Sequence, residues 1–413
     1  MRSVLAVLLI AFAAAAAAQA DAPVLAQARA HKGPLLDTLK DLVSIESGSA
    51  NVAGLARMAD YVERRLQAAG GKTERIKATS GPGAAIVKAT FAGTGKKRIL
   101  LLGHLDTVYP EGILATQPIK TDGNRLYGPG IADDKGGLAV ILHSLEILKS
   151  AGWRDYATLT VLLNPDEEIG SGGSGELIAR LASEHDVVLS CEPTAAKAIA
   201  KDEGVLLGAS GTGIVTMEVA GRQAHAGAAP DQGRNALIEL SHQILQTREV
   251  AKSVAGTQLN WTWSQSGSVR NQIPDKAVAT ADMRLFANNR DAEKLLAALK
   301  AKVAESKLVP DTVTTITMSV GRPPYAADDR AKELAKKAQA IYAELDGRKL
   351  VLVPGTGGGT DAGFASLSGK AVVLESFGLA GWGYHARDEY IEIDSIVPRL
   401  YLMTRMLTDL GRN

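Results

Sequence analysis

The sequence predicts an α/β protein with a mainly parallel sheet covered by helices and an inserted ferredoxin-like α+β unit. Three observations lead there. Thr158 to Leu163 is an apolar, β-branched run that reads as a buried parallel strand, and it leads straight into Asn164-Pro165-Asp166-Glu167-Glu168-Ile169-Gly170. Similar runs alternate with stretches of helical spacing through the first half of the chain, the pattern of a sheet covered on both faces. Near Gly211 the order changes to β-α-β-β-α-β, which is the ferredoxin-like arrangement.

Each element has its own signal. Leu35, Leu36, Leu39, Leu42 and Val43 follow helical spacing, as do Leu55, Met58, Val62 and Leu66, and Gly70-Gly71 supplies a C-cap for the second helix. Strands are expected at Ala85 to Phe91, Arg98 to Leu102 and Val187 to Ser190, with a helical stripe at Leu138, Ile141, Leu142, Leu145 and Leu148. The inserted unit should run through strand Ile214 to Val219, helix Asn235 to Thr247, strands Gln258 to Trp263 and Lys276 to Leu285, helix Asp291 to Ala304 and strand Thr312 to Val320. A helix at Ala331 to Leu345, a glycine-rich loop, a strand at Ala371 to Glu375 and a helix at Ile396 to Leu410 then complete the first unit. The expected division is 1–20, 21–210, 211–322 and 323–413.

At 413 residues the chain exceeds one hydrophobic core, so two domains are the default. A net charge of +1 and an aromatic share of 4% exclude the usual nucleic-acid and anionic-membrane footprints. Arg2, the apolar run Val4 to Ala18 and the sequence Ala18-Gln19-Ala20 before Asp21 read as a signal peptide, so the mature chain is expected to be periplasmic or secreted. A membrane anchor is the alternative, but the run is short and alanine-rich for a stable span, so no anchor is expected in the mature chain. The single cysteine, Cys191, excludes an intrachain disulfide and every Cys-rich zinc arrangement, so any metal must be held by His and carboxylates.

Five segments carry metal-type donors at strand ends or helix starts. They are Gly103-His104-Leu105-Asp106, Tyr127 to Gly137 with Asp133-Asp134, Glu167-Glu168, Glu192-Pro193-Thr194, and Gly381-Trp382-Gly383-Tyr384-His385. Open α/β sheets place their chemistry at the carboxyl ends of strands. Imidazole and carboxylate suit zinc, and two metals can share a carboxylate while activating a water. Taken singly, each residue has a plainer explanation. His104 reads as a satisfied core or surface histidine, Asp133 as a helix cap, Glu192 and His385 as loop residues, and Asp166-Glu167-Glu168 as a solvated turn.

Together, these segments with Gln223-Ala224-His225-Ala226-Gly227-Ala228-Ala229-Pro230 and Gly357-Gly358-Gly359-Thr360-Asp361-Ala362 resemble the dizinc exopeptidase family of glutamate carboxypeptidase, acetylornithine deacetylase and succinyl-diaminopimelate desuccinylase. The pattern is most similar to the exported, folate-cleaving glutamate carboxypeptidases, and the resemblance covers nearly the whole mature chain. It implies two Zn2+ ions, other divalent metals being possible, with His104 and Glu192 on one, Glu168 and His385 on the other, and Asp133 bridging. It also implies Glu167 as general base and Asp106 orienting His104, with Asp134 supporting the loop or helix start. The inserted unit would serve as dimerisation and lid domain, with His225 reaching the partner's site in a homodimer to stabilise the oxyanion. Asn271, Arg284, Arg322, Gly359 and Thr360 match substrate positions, an arginine receiving the free C-terminal carboxylate. His31, His143, His185 and His242 lack such contexts and read as structural or surface residues.

The expected function is therefore hydrolysis of a small-molecule or peptide substrate with a free C-terminal carboxylate, glutamate being the preferred residue released. One departure weakens that preference. A lysine carried by the folate-cleaving members just before the equivalent of Leu206-Leu207-Gly208 is replaced by Gly204, with Lys201 nearby. A di- or tripeptidase, a deacylase of other specificity and a non-catalytic metal-binding protein remain as alternatives.

Overall fold

The computed structural model describes residues 19–81, 83–194, 202–345 and 348–412, so most of the stretch read as a signal peptide, and Lys201, lie outside the described residues. A six-stranded sheet forms the centre, in the order Lys72–Lys77, Ala85–Ala92, Thr158–Asn164, Arg98–His104, Val187–Ser190, Val372–Leu374. The last four strands are parallel, whereas the first two are antiparallel to their neighbours. Strand Lys72–Lys77 has no apolar run to betray it. It is a charged edge strand, and charge on an edge discourages pairing with other chains.

Successive side chains of the central strands enter opposite layers, the period-2 consequence of the pleat. Ile99, Leu101, Val161, Leu163 and Leu189 join the larger core under helices Lys32–Ser44, Val52–Ala68, Lys135–Ser150, Asp329–Ala343 and Ile396–Arg412. Leu100, Leu102, Leu162 and Val188 face helices Gly175–Ser183 and Ala362–Ser366. Each fully buried aliphatic side chain of this kind contributes about 1.5–3 kcal/mol. Cys191 is buried and free.

Helix Lys135–Ser150 is buried on nearly every face, not on the single stripe its spacing suggests. Helices Ala22–Ala30, Lys32–Ser44, Val52–Ala68 and Ile396–Arg412 pack over its outer side. That side carries polar groups that satisfy one another: His143 lies against His31, Thr38 and Arg65, and Arg65 pairs with Glu146. Burial, with the charge of Arg65, pushes the His143 imidazole down to about 3.

Residues 211–320 form an antiparallel sheet in the order Thr257–Ser266, Lys276–Leu285, Gly211–Ala220, Val313–Val320. Helices Ala236–Thr247 and Arg290–Glu305 cover one face and share with it a core of their own. The Asn235 side chain caps the first of these helices by accepting from the N–H groups of Leu237 and Ile238. Most exposed large apolar side chains belong to this unit, including Ile214, Leu237, Ile238, Leu245, Trp263 and Leu308. Among the described residues no helix is long and apolar enough to cross a membrane.

Candidate metal centre

Parallel strands bring their carboxyl ends to one sheet edge, and the acids and histidines of five separate segments meet there. Strand Arg98–His104 delivers His104, buried and fixed at Nδ1 by the Asp106 backbone carbonyl 3.0 Å away. The Asp106 carboxylate lies 3.3 Å from the same nitrogen. His104 Nε2 therefore faces inward, 2.9 Å from Asp133 Oδ1 and 3.6 Å from Glu192 Oε1. On the other side of Asp133, Oδ2 is 3.3 Å from His385 Nε2, and that nitrogen is 3.1 Å from Glu168 Oε2. One aspartate thus turns a separate oxygen to each of two His–Glu pairs.

Local sequence explains these positions. Asp133 precedes helix Lys135–Ser150, and the Asp134 carboxylate accepts the His104 N–H at 3.2 Å. A Cβ on Gly137 would stand 2.0 Å from Asp134 Oδ1 and 2.1 Å from the Cys191 carbonyl, so only glycine lets the helix start press against the strand ends. His385 has φ of 62° after Gly383 at 74°, a left-handed turn that folds its exposed ring back over the acids. The positive φ is tolerated more readily by histidine than by a β-branched residue.

The site wants positive charge. Burial first, and the Asp133 charge second, push the Glu168 and Glu192 carboxyls up. Burial opposes protonation of His104, yet Glu192, Asp106 and Asp133 outweigh it and drive its pKa well upward. Hydrogen bonds to Asp133 and Glu168 raise His385 to about 10. Glu168 Oε1 is buried with no hydrogen-bond partner among the described residues. His–carboxylate donors in two sets sharing one acid, short of cationic charge, fit a pair of divalent ions of the zinc type.

Asp106 does more than its spacing suggested. Its two oxygens accept the backbone N–H groups of Glu167 and Glu168, each at 3.1 Å, and the Ser49 hydroxyl at 2.8 Å. Glu167 is buried beside the donor sets, and its Oε1 lies 2.7 Å from Arg322. Burial pushes its carboxyl up, against the attraction of Arg322. Arg322 was expected at the substrate; its guanidinium also donates to the Gly359 carbonyl at 2.7 Å and to the Glu167 carbonyl, and lies 3.9 Å from Asp361.

Glu389 was missed, and only its position four residues beyond His385 could have drawn attention to it. Fully buried, it accepts Gly130 N–H at 2.9 Å, Ala132 N–H at 2.8 Å, Asp133 N–H at 3.0 Å and the Tyr109 hydroxyl at 2.7 Å. It is the mould of the loop that presents Asp133. Glu389→Gln, with a single acceptor oxygen, is expected to leave buried N–H groups unpaired and to cost about 1–3 kcal/mol. A lower melting temperature and faster loss of metal to a chelator would register this, whereas wild-type values for both would remove the assigned role.

A cleft of about 540 Å³ opens beside the two donor sets, lined by Asp133, Glu167, Glu168, Glu192 and His385, and by Arg284, Arg322, Gly359 and Thr360. Arg284 donates to both Asp282 oxygens at 2.8 and 3.0 Å and to the Gly357 carbonyl at 3.2 Å. His225 and Asn271 are not part of this lining. They stand together near strand pair Ala224–His225 and Gln272–Ile273, where the Asn271 carbonyl accepts the Ala226 N–H. Strands Gly211–Ala220 and Lys276–Leu285 separate them from Arg284. Ten extended residues span about 30 Å, so His225 cannot reach the donor sets of its own chain.

Family membership follows from the whole chain. It belongs to peptidase family M20/M25/M40, whose model matches residues 100–409, and by class it is a metallopeptidase. Among individual proteins, it is 43% identical over 412 residues to carboxypeptidase G2 of Pseudomonas sp. (strain RS-16), covering 99% of this chain and 97% of that one. Acetylornithine deacetylase of Myxococcus xanthus is more distant, 29% identical over 259 residues, 57% of this chain and 63% of its own. The fold is shared with a family M20 metallo-carboxypeptidase from Sulfolobus solfataricus, at a TM-score of 0.74 and 18% identity over 92% of this chain and 99% of that one. An aminopeptidase from Bacillus cereus shares it too, at a TM-score of 0.73 and 20% identity over 92% and 98% of the two chains.

Proposed function

We propose that the protein is an exported zinc carboxypeptidase that releases a C-terminal amino acid, preferably glutamate, from folate-like, N-acyl or peptidyl substrates. The observation that carries this reading is the single aspartate, Asp133, turning one oxygen to His104 and Glu192 and the other to Glu168 and His385. Likeness to carboxypeptidase G2 over nearly the full length supports the substrate class.

His104, Glu192, Glu168, His385 and the shared Asp133 would hold two zinc ions. When bound, zinc polarises the scissile carbonyl and makes water a better nucleophile. Glu167 takes a proton from the attacking water and returns it to the nitrogen as the C–N bond breaks, so the products are a carboxylic acid and a free amino acid. Arg322 holds Glu167 in place, and Asp106 fixes the backbone of the acid pair. Arg284, Gly359 and Thr360 line the part of the cleft that would receive the leaving residue.

The unit 211–322 acts as lid and dimerisation domain in this reading. Leu237, Ile238 and Leu245, exposed on helix Ala236–Thr247, and the free edge of strand Thr257–Ser266 are suited to a second copy. His225 then enters the partner's cleft with Asn271 beside it. His225 Nδ1 accepts the N–H groups of Gly227 and Ala228 at 3.2 and 3.0 Å, which leaves Nε2–H to donate to the oxyanion.

The test is a hydrolysis profile at fixed zinc across substrates with one acyl group and varied C-terminal residues. Glutamate release should exceed release of neutral residues, and chelation should stop both until metal is returned. Equal or faster turnover of neutral residues would remove the glutamate preference, and activity insensitive to chelation would remove the metal mechanism.

A further inference from the structure

A second set of metal-type donors lies away from the cleft, where the first two helices meet the long buried one. His31 occupies the corner between helices Ala22–Ala30 and Lys32–Ser44. His143 and Glu146 are three residues apart on helix Lys135–Ser150 and so share a face. His31 Nδ1 is 3.0 Å from His143 Nδ1. Glu146 Oε2 is 3.4 Å from His143 Nδ1 and 4.0 Å from His31 Nδ1. Two donors bound tetrahedrally to zinc at about 2.0–2.1 Å lie about 3.3 Å apart. The three measured separations bracket that edge length.

The surroundings select these atoms. His143 Nε2 is 2.9 Å from Thr38 Oγ1, a contact that orients the ring and leaves Nδ1 turned to the cluster. Arg65 donates to Glu146 Oε1 from Nε at 3.0 Å and from Nη2 at 2.6 Å. That pairing matches the Arg65 charge through one carboxylate oxygen and leaves the other, Oε2, facing the histidines. His143 is buried, while the side chains of His31 and Glu146 are 20% and 31% exposed, so an ion can enter and water can complete its shell.

We infer that His31 Nδ1, His143 Nδ1 and Glu146 Oε2 form a peripheral site for a divalent transition metal of the zinc type. The ion would pin the corner of the first two helices to the helix whose other end begins at the catalytic loop. His143 stands nine residue steps along the helix from Asp134, about 13 Å, so the site is distinct from the cleft. It takes no part in hydrolysis.

Metal content tests this on the mature, full-length enzyme, equilibrated with micromolar free zinc, freed of loose metal and measured by elemental analysis. His31→Ala and Glu146→Gln should each hold one zinc fewer per chain than wild type, with hydrolytic activity unchanged. Zinc added to the enzyme already loaded at its cleft should raise the melting temperature of wild type and not of either variant. Equal metal content in all three proteins would overturn the proposal and leave a hydrogen-bonded histidine pair. Because the comparison is between wild type and variants, failure of the proposed cleft chemistry would not alter its outcome.

Discussion

Glu167→Gln is expected to lower kcat by about 10²–10⁴-fold, the usual contribution of a positioned general base. The amide keeps the size of the side chain but cannot accept and return the proton. Its backbone would stay fastened, since Asp106 holds the N–H groups of Glu167 and Glu168 rather than the side chains. Metal content should therefore match wild type, because Glu167 lies outside both donor sets. Alanine is a blunter substitution. It leaves a cavity beside the buried Arg322 guanidinium, whose remaining acid partner is Asp361 at 3.9 Å, so stability should fall by at most the roughly 3–5 kcal/mol of a fully broken buried pair. Measuring zinc stoichiometry, thermal midpoint and kcat on the glutamine variant separates the roles, and wild-type turnover there would show that the proton is handled elsewhere.

The second large effect concerns two chains at once. His225→Ala should cost about 10²–10³-fold in kcat, the loss typical of removing an oxyanion donor. His225 lies beyond reach of its own cleft, so a dimer that exchanges chains can be complemented. In an equal mixture of His225→Ala and Glu167→Gln, half the dimers are mixed, and each of those holds one site with an intact base and an intact visiting histidine. About a quarter of wild-type activity should return if chains pair at random in a twofold dimer. Activity no higher than the sum of the two inactive proteins, under conditions where chain exchange is demonstrated by mass, would exclude a histidine acting across subunits.

Local patterns in the sequence carried the architecture further than they carried the wiring of the site. Thr158 to Leu163 announces a strand because every one of its side chains is apolar or β-branched, and it is found at Thr158–Asn164. The order of elements in 211–320 was legible from similar runs, several of them flanked by glycine or proline, such as Gly213, Gly221, Pro274 and Gly321. Strand Lys72–Lys77 was not, since three lysine or arginine side chains and a glutamate give an edge strand no apolar signature. His104, Asp133, Glu168, Glu192 and His385 were named from their family-like settings, and the structure brings them within reach of one another. Glu389 and the several bonds of Asp106 depend on loops meeting across long stretches of chain, and periodicity has nothing to say about such meetings. The pairing of Arg322 with Glu167 is of the same kind, joining residues 155 positions apart.

Asp106 lies two residues beyond strand Arg98–His104, and the groups it holds all come before residue 170. One short side chain steadies an imidazole and, through main-chain donors, the neighbouring pair of acids. The spacing between the groups that grip cations and the group that shuttles protons is thus built into a single rigid joint of the sheet edge. The unit 211–322 meets that joint through one guanidinium, Arg322, which grips both the side chain and the main-chain carbonyl of Glu167. A displacement of that unit would therefore be felt first at the acid proposed to carry the proton, while the Asp106 clasp on the main chain stayed in place.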